Sequence, residues 1–354
     1  MFHNQPPYSM NLLTKMMLVF TSCLSTFETV AQDNAPTVFA GSADMYYKYD
    51  FSKQDNGLTS FTNSHDAFQL GMLSLEASHQ FGKASVYADL GFGNRAAQFS
   101  YNDGSNTFMI KQLNVTYEFN KSFKIVAGSF GTHIGYELVD AIDNKNYSMS
   151  YGFSYGPFFN TGVKAILTKG KYNYMLGVTN PTDFKTAVEA GSTQKTIIGQ
   201  FAYAGDSGSV FFNFTSGSSN PSSDKNKTQF DFVGTKKVSE KVHLGFNATY
   251  AIVSDDNDSA LDGNWYSLAG YLSCALKNKW SVAYRLEYFD DADGVVAFSG
   301  GANVLSNTLS LNFKEGNFTF IPEFRLDSAS KEIFNAGTPK KINAFALVAT
   351  TYTF

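Results

Sequence analysis

Charged residues are scarce in this 354-residue sequence, at 16% against about 25% in ordinary soluble proteins. The net charge is only −4, so the chain lacks the basic surface that holds nucleic acid. No apolar run approaches the ~20 residues that a membrane-spanning helix needs. These absences exclude a nucleic-acid-binding protein and a helical membrane protein.

Aromatic residues are abundant, with 34 Phe and 20 Tyr, and this excludes a disordered chain. Two classes of protein remain. One is a large soluble all-β protein, and the other is an outer-membrane barrel whose strands are apolar only at every second residue.

The N-terminal segment has the pattern of a secretory signal peptide. Lys15 precedes the short apolar stretch Met16–Leu24, and mainly polar residues follow as far as Ala31. We therefore predict that residues 1–31 are removed and that residues 32–354 form a single transmembrane barrel domain.

Apolar and polar residues alternate through most of the remaining chain, which is the period of a β-strand. This pattern predicts sixteen strands between Phe39 and Phe354, including the short strands Ser209–Thr215 and Thr228–Thr235. Tight turns such as Phe81-Gly82-Lys83 alternate strictly with long polar connections, so all the tight turns lie at one rim. The predicted fold is an all-β, antiparallel, up-and-down transmembrane β-barrel with short periplasmic turns and long extracellular loops.

Charges within the strands indicate which face meets lipid, because a Lys or Arg at the bilayer midplane costs ~2–4 kcal/mol while a lumen position costs little. In the strand from Trp280, Arg285 and Glu287 alternate with Tyr284, Leu286 and other apolar residues, so the charged face points inward. The same parity predicts these lumen charges: Asp44, Lys48, Asp50, Glu76, Asp89, Glu118, Lys164, Arg285, Glu287, Glu323 and Arg325.

Four residues depart from this pattern. Lys111 has the parity of the lipid face, which is tolerable only near a rim, and Pro322 predicts a bulge because it lacks a backbone donor. Phe345 and Leu347 fall on the lumen face of the last strand although they are apolar.

The longest connection, residues 131–156, is rich in Tyr, Gly and Ser and is predicted to be a compact loop. One hypothesis is that it folds into the barrel and narrows the pore. The alternative is an outward lid that only stabilises the rim. The constriction candidates are His133, Glu137, Asp140, Asp143 and Lys145.

Several short motifs resemble the OmpL-like β-barrel porin family, and the likeness runs from about Val38 to Asn180. This resemblance implies an outer-membrane porin but supplies no selectivity residues. The motifs are Asp89–Gly93, Thr132–Glu137, Asp143-Asn144, Asn146–Ser148, Ser154–Phe158 and Thr161–Val163.

Sixteen strands enclose an aqueous channel, so the predicted function is passive diffusion of small hydrophilic solutes and ions across the bacterial outer membrane. An anchor or adhesin without an open pore is one alternative. A barrel enzyme, using a pair such as His65 and Asp66, is another.

The expected partners are outer-membrane lipids, the permeating solutes and the barrel-assembly machinery, which would recognise the C-terminal strand ending in Phe354. A homo-oligomer is compatible with this class. No cofactor is predicted, because the sequence has no Cys/His or HExxH spacing for zinc. The acidic loops at 255–262 and 290–294 read as solvated surface, with weak Ca²⁺ binding as the alternative.

Overall fold

The computed structural model describes residues 35–104, 107–186, 194–218, 225–255, 258–259 and 262–354. Within them, sixteen antiparallel strands close into a barrel in which every strand pairs with its neighbours in sequence and β1 pairs with β16. The strands are β1 (Val38–Asp50), β2 (Ala67–Phe81), β3 (Ala84–Phe92), β4 (Ile110–Asn120), β5 (Phe123–Gly131), β6 (Phe159–Lys169), β7 (Tyr172–Thr179), β8 (Thr196–Gly205), β9 (Gly208–Ser218), β10 (Lys225–Lys237), β11 (Val242–Asp255), β12 (Gly263–Ala275), β13 (Trp280–Asp291), β14 (Ala302–Glu315), β15 (Phe318–Ala329) and β16 (Ile342–Thr353).

This architecture confirms the predicted fold and the alternation of short and long connections. Two strands are longer than predicted, since β9 continues to Ser218 and β10 begins at Lys225. The loop between them is therefore shorter than predicted. The predicted leader, 1–31, lies outside the described residues. Within the described ranges, no helix is both long enough and apolar enough to span a membrane.

Helical structure in the described residues is confined to loops. The helix α1 (Asn94–Phe99) follows β3, and the single-turn helix α2 (Tyr151–Ser154) lies in the connection from β5 to β6. That connection also contains a short 3-10 helix, Ala141–Asp143.

Burial alternates along the strands as the sequence parity requires. In β13, Arg285 and Glu287 are fully buried inside the barrel, whereas Leu286 between them is 41% exposed on the outer wall. The outer wall can face lipid because its side chains are apolar and its backbone groups are paired around a closed ring.

Lys111 does not lie on the lipid face, so the parity argument was wrong there. The pairing of β3 with β4 shifts between Asp89 and Leu90, and this bulge turns Lys111 inward, where it is fully buried. A bulge inserts one unpaired residue, and a slip of one residue moves a side chain to the other face.

A second bulge lies between β1 and β2, where the register shifts between Ala43 and Met45. The carboxylate of Asp44 occupies the space beside Gly71, and a Cβ on Gly71 would come within 1.7 Å of Asp44 Oδ2. Asp44 Oδ1 also accepts a hydrogen bond from Met72 N at 3.1 Å. A side chain at position 71 would therefore displace this inward carboxylate from its hydrogen bond.

Pro322 produces no bulge, contrary to the sequence prediction. The register of β14 with β15 is the same on both sides of it, from Ser310–Glu323 to Phe313–Phe320. Pro322 pairs in register with Val348 of β16. Proline has no backbone N–H, and the ladder between β14 and β15 is interrupted at Ile321 and Pro322, whereas the ladder between β15 and β16 is continuous there.

The apolar lumen residues Phe345 and Leu347 are buried inside the barrel, at 4% and 1% exposure. They pack in a cluster with Ile321, Ala141 and Tyr147, of which the last two belong to the connection between β5 and β6. Their departure from the polar lumen pattern is explained by this cover: a loop, rather than water, lies against them.

Candidate pore constriction

The connection from β5 to β6, residues 132–158, lies inside the barrel, and we call it the inner loop. Its first arm contacts β9 to β13 in turn, and its middle binds β2 and β4. Its last part binds β14, β15 and β1, and then β12 and β13. The loop therefore crosses the lumen and is attached on opposite walls.

Two wall carboxylates hold consecutive backbone N–H groups of the inner loop. Glu323 accepts from Tyr147 N at 2.7 Å and Ser148 N at 3.1 Å. Glu287 accepts in the same way from Tyr151 N at 2.8 Å and Gly152 N at 2.7 Å. We call these two residues the carboxylate clamps.

Each clamp is fixed by a serine on the preceding strand. Ser310 Oγ donates to Glu323 at 2.7 Å, and Ser267 Oγ donates to Glu287 at 2.9 Å. Gly152 lies so close to Ser267 that a Cβ would come within 2.6 Å of its hydroxyl. The clamps are therefore preorganised by the wall, which makes a charged hydrogen bond to the loop strong.

Two wall guanidinium groups bind the carbonyl groups of the same segment. Arg285 donates to Ser148 O at 2.7 Å, and Arg325 donates to Met149 O at 2.6 Å. Arg285 also pairs with Glu137 of the loop, whose other oxygen accepts from Ser150 N at 2.8 Å. Charged wall residues thus bind both the N–H groups and the carbonyl groups of the loop backbone.

The loop is also tied to the opposite wall through Lys111. Its ammonium lies 2.7 Å from Asp140 of the loop and 3.0 Å from Asp89 of β3, and it donates to Ser74 Oγ at 2.8 Å. This cation lies between two carboxylates, so it neutralises a site that would otherwise be repulsive.

The first arm of the inner loop, residues 133–136, is held by hydrogen bonds to a carbonyl and a carboxylate and by an aromatic stack. His133 Nε2 lies 2.9 Å from Phe214 O, and Gly135 N donates to Asp231 Oδ2 at 3.1 Å. Tyr136 stacks on Tyr271 with ring centroids 4.1 Å apart. Burial lowers the pKa of His133 to about 4, so the ring is neutral at pH 7.

Helix α1 inserts Arg95 above the inner loop. Arg95 is fully buried; its guanidinium lies 3.9 Å from Asp44 and 5.1 Å from the ring centre of Tyr147. Tyr147 in turn donates its hydroxyl to Asp44. The second long loop therefore stabilises the inner loop from the extracellular side.

The five constriction candidates fall into two groups. Glu137 and Asp140 are engaged in ion pairs, and His133 is hydrogen-bonded at the wall. Asp143 and Lys145 are exposed on the loop. Only these last two present charges to water.

The predicted lumen charges also differ in their surroundings. Those of β1, β13 and β15, together with Asp89, are buried beneath the loops. Glu76 accepts from Tyr87 at 2.8 Å, Lys164 lies 3.8 Å from the ring centre of Phe130, and Glu118 is exposed near the periplasmic rim. The buried charges are Asp44, Lys48, Asp50, Asp89, Arg285, Glu287, Glu323 and Arg325.

Sequence reasoning missed several anchors. Asp231 accepts from Asn213, Asn247 and Thr249, and Asp327 accepts from Arg325 and Tyr151. Asp231 lies between Phe230 and Phe232, and Asp327 has the same parity as Glu323 and Arg325, so strand parity could have identified both. Arg95 lies in a loop helix, where no such signal exists.

Within the described ranges, no three His, Cys, Asp or Glu side chains are grouped as they would be around a metal ion. In the acidic loop that begins at the end of β13, Asp291 accepts from the backbone N–H groups of Val295, Ala297 and Phe298 at 2.7–2.9 Å. Residues 256–257 and 260–261 of the other acidic loop lie outside the described part.

Solved structures with the same fold are outer-membrane proteins. An anion-selective porin from Comamonas acidovorans aligns with a TM-score of 0.61 at 11% identity, over 90% of this chain and 99% of that one. OprB of Pseudomonas putida aligns with a TM-score of 0.62 at 9% identity, over 90% and 94%. The outer-membrane channel DcaP of Acinetobacter baumannii aligns with a TM-score of 0.59 at 12% identity, over 90% and 97%. At these identities the likeness establishes the fold.

No curated protein matches the chain. Residues 36–354 match the family described as "Putative beta-barrel porin-2, OmpL-like", so the match extends well beyond the region that carries the motifs. With the closed sixteen-stranded barrel, this match shows that the chain belongs to the OmpL-like β-barrel porin family, the porins of the bacterial outer membrane.

Proposed function

We propose that the inner loop sets the aperture of a water-filled channel through which small hydrophilic solutes and ions diffuse passively. One observation carries this proposal: the backbone of residues 147–152 is bound to the wall through its N–H groups and through its carbonyl groups. A loop whose N–H groups and carbonyl groups are both bound to the wall is a fixed obstruction inside the barrel rather than a mobile lid.

The charges that a passing ion meets are those that the anchors leave exposed. Asp143 and Lys145 are exposed on the loop surface, and Lys164 is half-buried on the wall of β6, with its ammonium over the Phe130 ring. Because ion selectivity depends on the charges at the narrowest point, these three residues are the proposed determinants of selectivity.

We propose that residues 1–31 are a cleaved signal peptide and that residues 32–354 form one barrel domain. The C-terminal strand is proposed to be recognised by the barrel-assembly machinery. In support, β16 closes the ring against β1, and Phe354 at its end is 59% exposed.

His65 and Asp66, the pair considered for a barrel enzyme, are each hydrogen-bonded to another residue. His65 Nδ1 accepts from Asp50 N at 3.2 Å, and Asp66 accepts from the Tyr47 hydroxyl at 2.5 Å. The family and fold also support a channel rather than an enzyme. Ion conductance distinguishes a porin from the anchor or adhesin alternative, because an anchor or adhesin has no open pore.

The test is to refold residues 32–354, insert the protein in a planar bilayer and record single-channel current in KCl. Stable, discrete steps are expected, together with swelling of proteoliposomes in small sugars and exclusion of large ones. A heat-unfolded sample is the control. A folded barrel that neither conducts nor admits any sugar would contradict the channel and favour an anchor.

A further inference from the structure

A cavity of about 500 Å³ lies among the extracellular loops, above the inner loop. It is built where the first long loop, helix α1, the end of the inner loop and the start of β10 meet. Its volume is within the range of small-molecule sites, about 300–1,000 Å³. The anchors described above do not account for this space.

We propose that this cavity binds a small organic carboxylate with a hydroxylated, sugar-like ring, of the uronic acid class, before it enters the channel. This inference deepens the proposed function, because the site lies on the proposed path of solutes. The argument rests on the charge of the walls, the aromatic surfaces and the fixed position of one ammonium group.

The ammonium of Lys227 is held at the wall. Its Nζ donates to Tyr155 O at 3.0 Å and lies 5.1 Å from the ring centre of Trp265. An ammonium has three N–H donors, and the carbonyl of Tyr155 uses one of them. Lys225 lies two residues away on the same face of β10 and also lines the cavity.

Asp183 is the one acidic residue among the described residues that line the cavity, and its carboxylate is already satisfied. Oδ1 accepts from Phe158 N at 2.6 Å and Phe159 N at 3.0 Å, and Oδ2 accepts from the Tyr101 hydroxyl at 3.0 Å. Asp183 is only 4% exposed. Among the described lining residues, the one carboxylate is therefore turned into the protein, whereas the ammonium of Lys227 is held at the cavity wall.

The remaining walls suit a hydroxylated ring. Tyr101, Tyr155 and Phe158 contribute aromatic surface, and Asn63 and Gln98 contribute amides. Tyr155 is fixed by its hydroxyl, which donates to Leu58 O at 2.9 Å. Aromatic faces with a few placed polar groups are the usual means of orienting a small polar ligand.

Binding can be measured with the protein's own fluorescence. The sequence has two tryptophans, Trp265 at the cavity and Trp280 at the start of β13, so Trp280→Phe leaves one reporter at the site. Glucuronate is the probe, and glucose is the uncharged comparison. We expect a saturable fluorescence change, with glucose binding at least tenfold more weakly.

Lys227→Gln is expected to weaken glucuronate binding about tenfold or more, the effect of losing one charge-assisted hydrogen bond. Lys227→Arg keeps the charge and should retain binding, which also shows that the site folds. The matched control is Lys236→Gln, at the other end of β10, which should leave binding unchanged.

Equal binding of glucose and glucuronate, or equal effects of the substitutions at 227 and 236, would overturn the inference. The same samples are recorded in bilayers. Conductance without binding would refute the cavity site and leave the channel intact, whereas binding without conductance would support the site and contradict the channel.

Discussion

The two carboxylate clamps give the sharpest prediction about the constriction. Glu287 and Glu323 each accept two backbone N–H groups of the inner loop, at distances of 2.7–3.1 Å. The double variant Glu287→Gln, Glu323→Gln keeps the size of both side chains. At each site, however, the oxygen of the amide accepts one backbone N–H, and its NH₂ group places a donor against the other backbone N–H.

The magnitude follows from the hydrogen bonds lost. A hydrogen bond to a charged group contributes about 1.5–3 kcal/mol, and each substitution removes at least one of them. The double variant should therefore weaken docking of the loop by about 3–6 kcal/mol. Since every 1.4 kcal/mol is a factor of ten, the undocked population should rise by about two to four orders of magnitude.

Single-channel recording measures this population directly, because an undocked loop leaves a wider pore. The fraction of time spent at a higher conductance level should rise at least about a hundredfold in the double variant. Glu118→Gln is the matched control, since Glu118 lies on the inward parity of β4 but is exposed near the periplasmic rim. If the double variant and the control spend the same fraction of time at that level as the unmodified protein, the clamps do not hold the loop.

Three further predictions concern stability, measured as the free energy of unfolding in urea. Gly71→Ala should lower it by about 1–3 kcal/mol, because the new Cβ would lie 1.7 Å from Asp44 Oδ2; no change would show that the bulge has room. Lys111→Met should lower it by about 3–5 kcal/mol, because Asp140 and a second carboxylate lose their shared cation; a loss below about 1 kcal/mol would refute that role. Burial lowers the pKa of His133 to about 4 from an ordinary 6.5, so as the pH falls the ring is protonated in the unfolded chain before it is protonated in the folded protein. The unmodified protein therefore loses stability as the pH falls from about 6.5 to about 4. His133→Gln should remove up to about 3 kcal/mol of that pH dependence, and identical pH profiles would contradict the buried neutral ring.

Strand parity was sufficient to predict the barrel. The alternation of Arg285 and Glu287 with Leu286 is local, and the cost of a charge in lipid determines which face points inward. Parity failed at Lys111, because a bulge of one residue reverses the face without leaving a sequence signal.

The path of the inner loop could not be predicted from the sequence. Tyr147 binds Glu323 across 176 positions, and Tyr151 binds Glu287 across 136. No periodic pattern encodes contacts of that separation. The apolar lumen residues Phe345 and Leu347 were the available clue, because apolar side chains on a wet wall require a cover.

Single-channel conductance of a loop deletion tests the central claim most directly. Residues 139–150 carry the bonds to Lys111, Glu323, Arg285 and Arg325, and are replaced by a short Gly-Ser linker. If the inner loop sets the aperture, the shortened protein conducts in larger steps than the full chain and admits larger sugars. Equal step size and an equal sugar cut-off would show that the pore is bounded elsewhere.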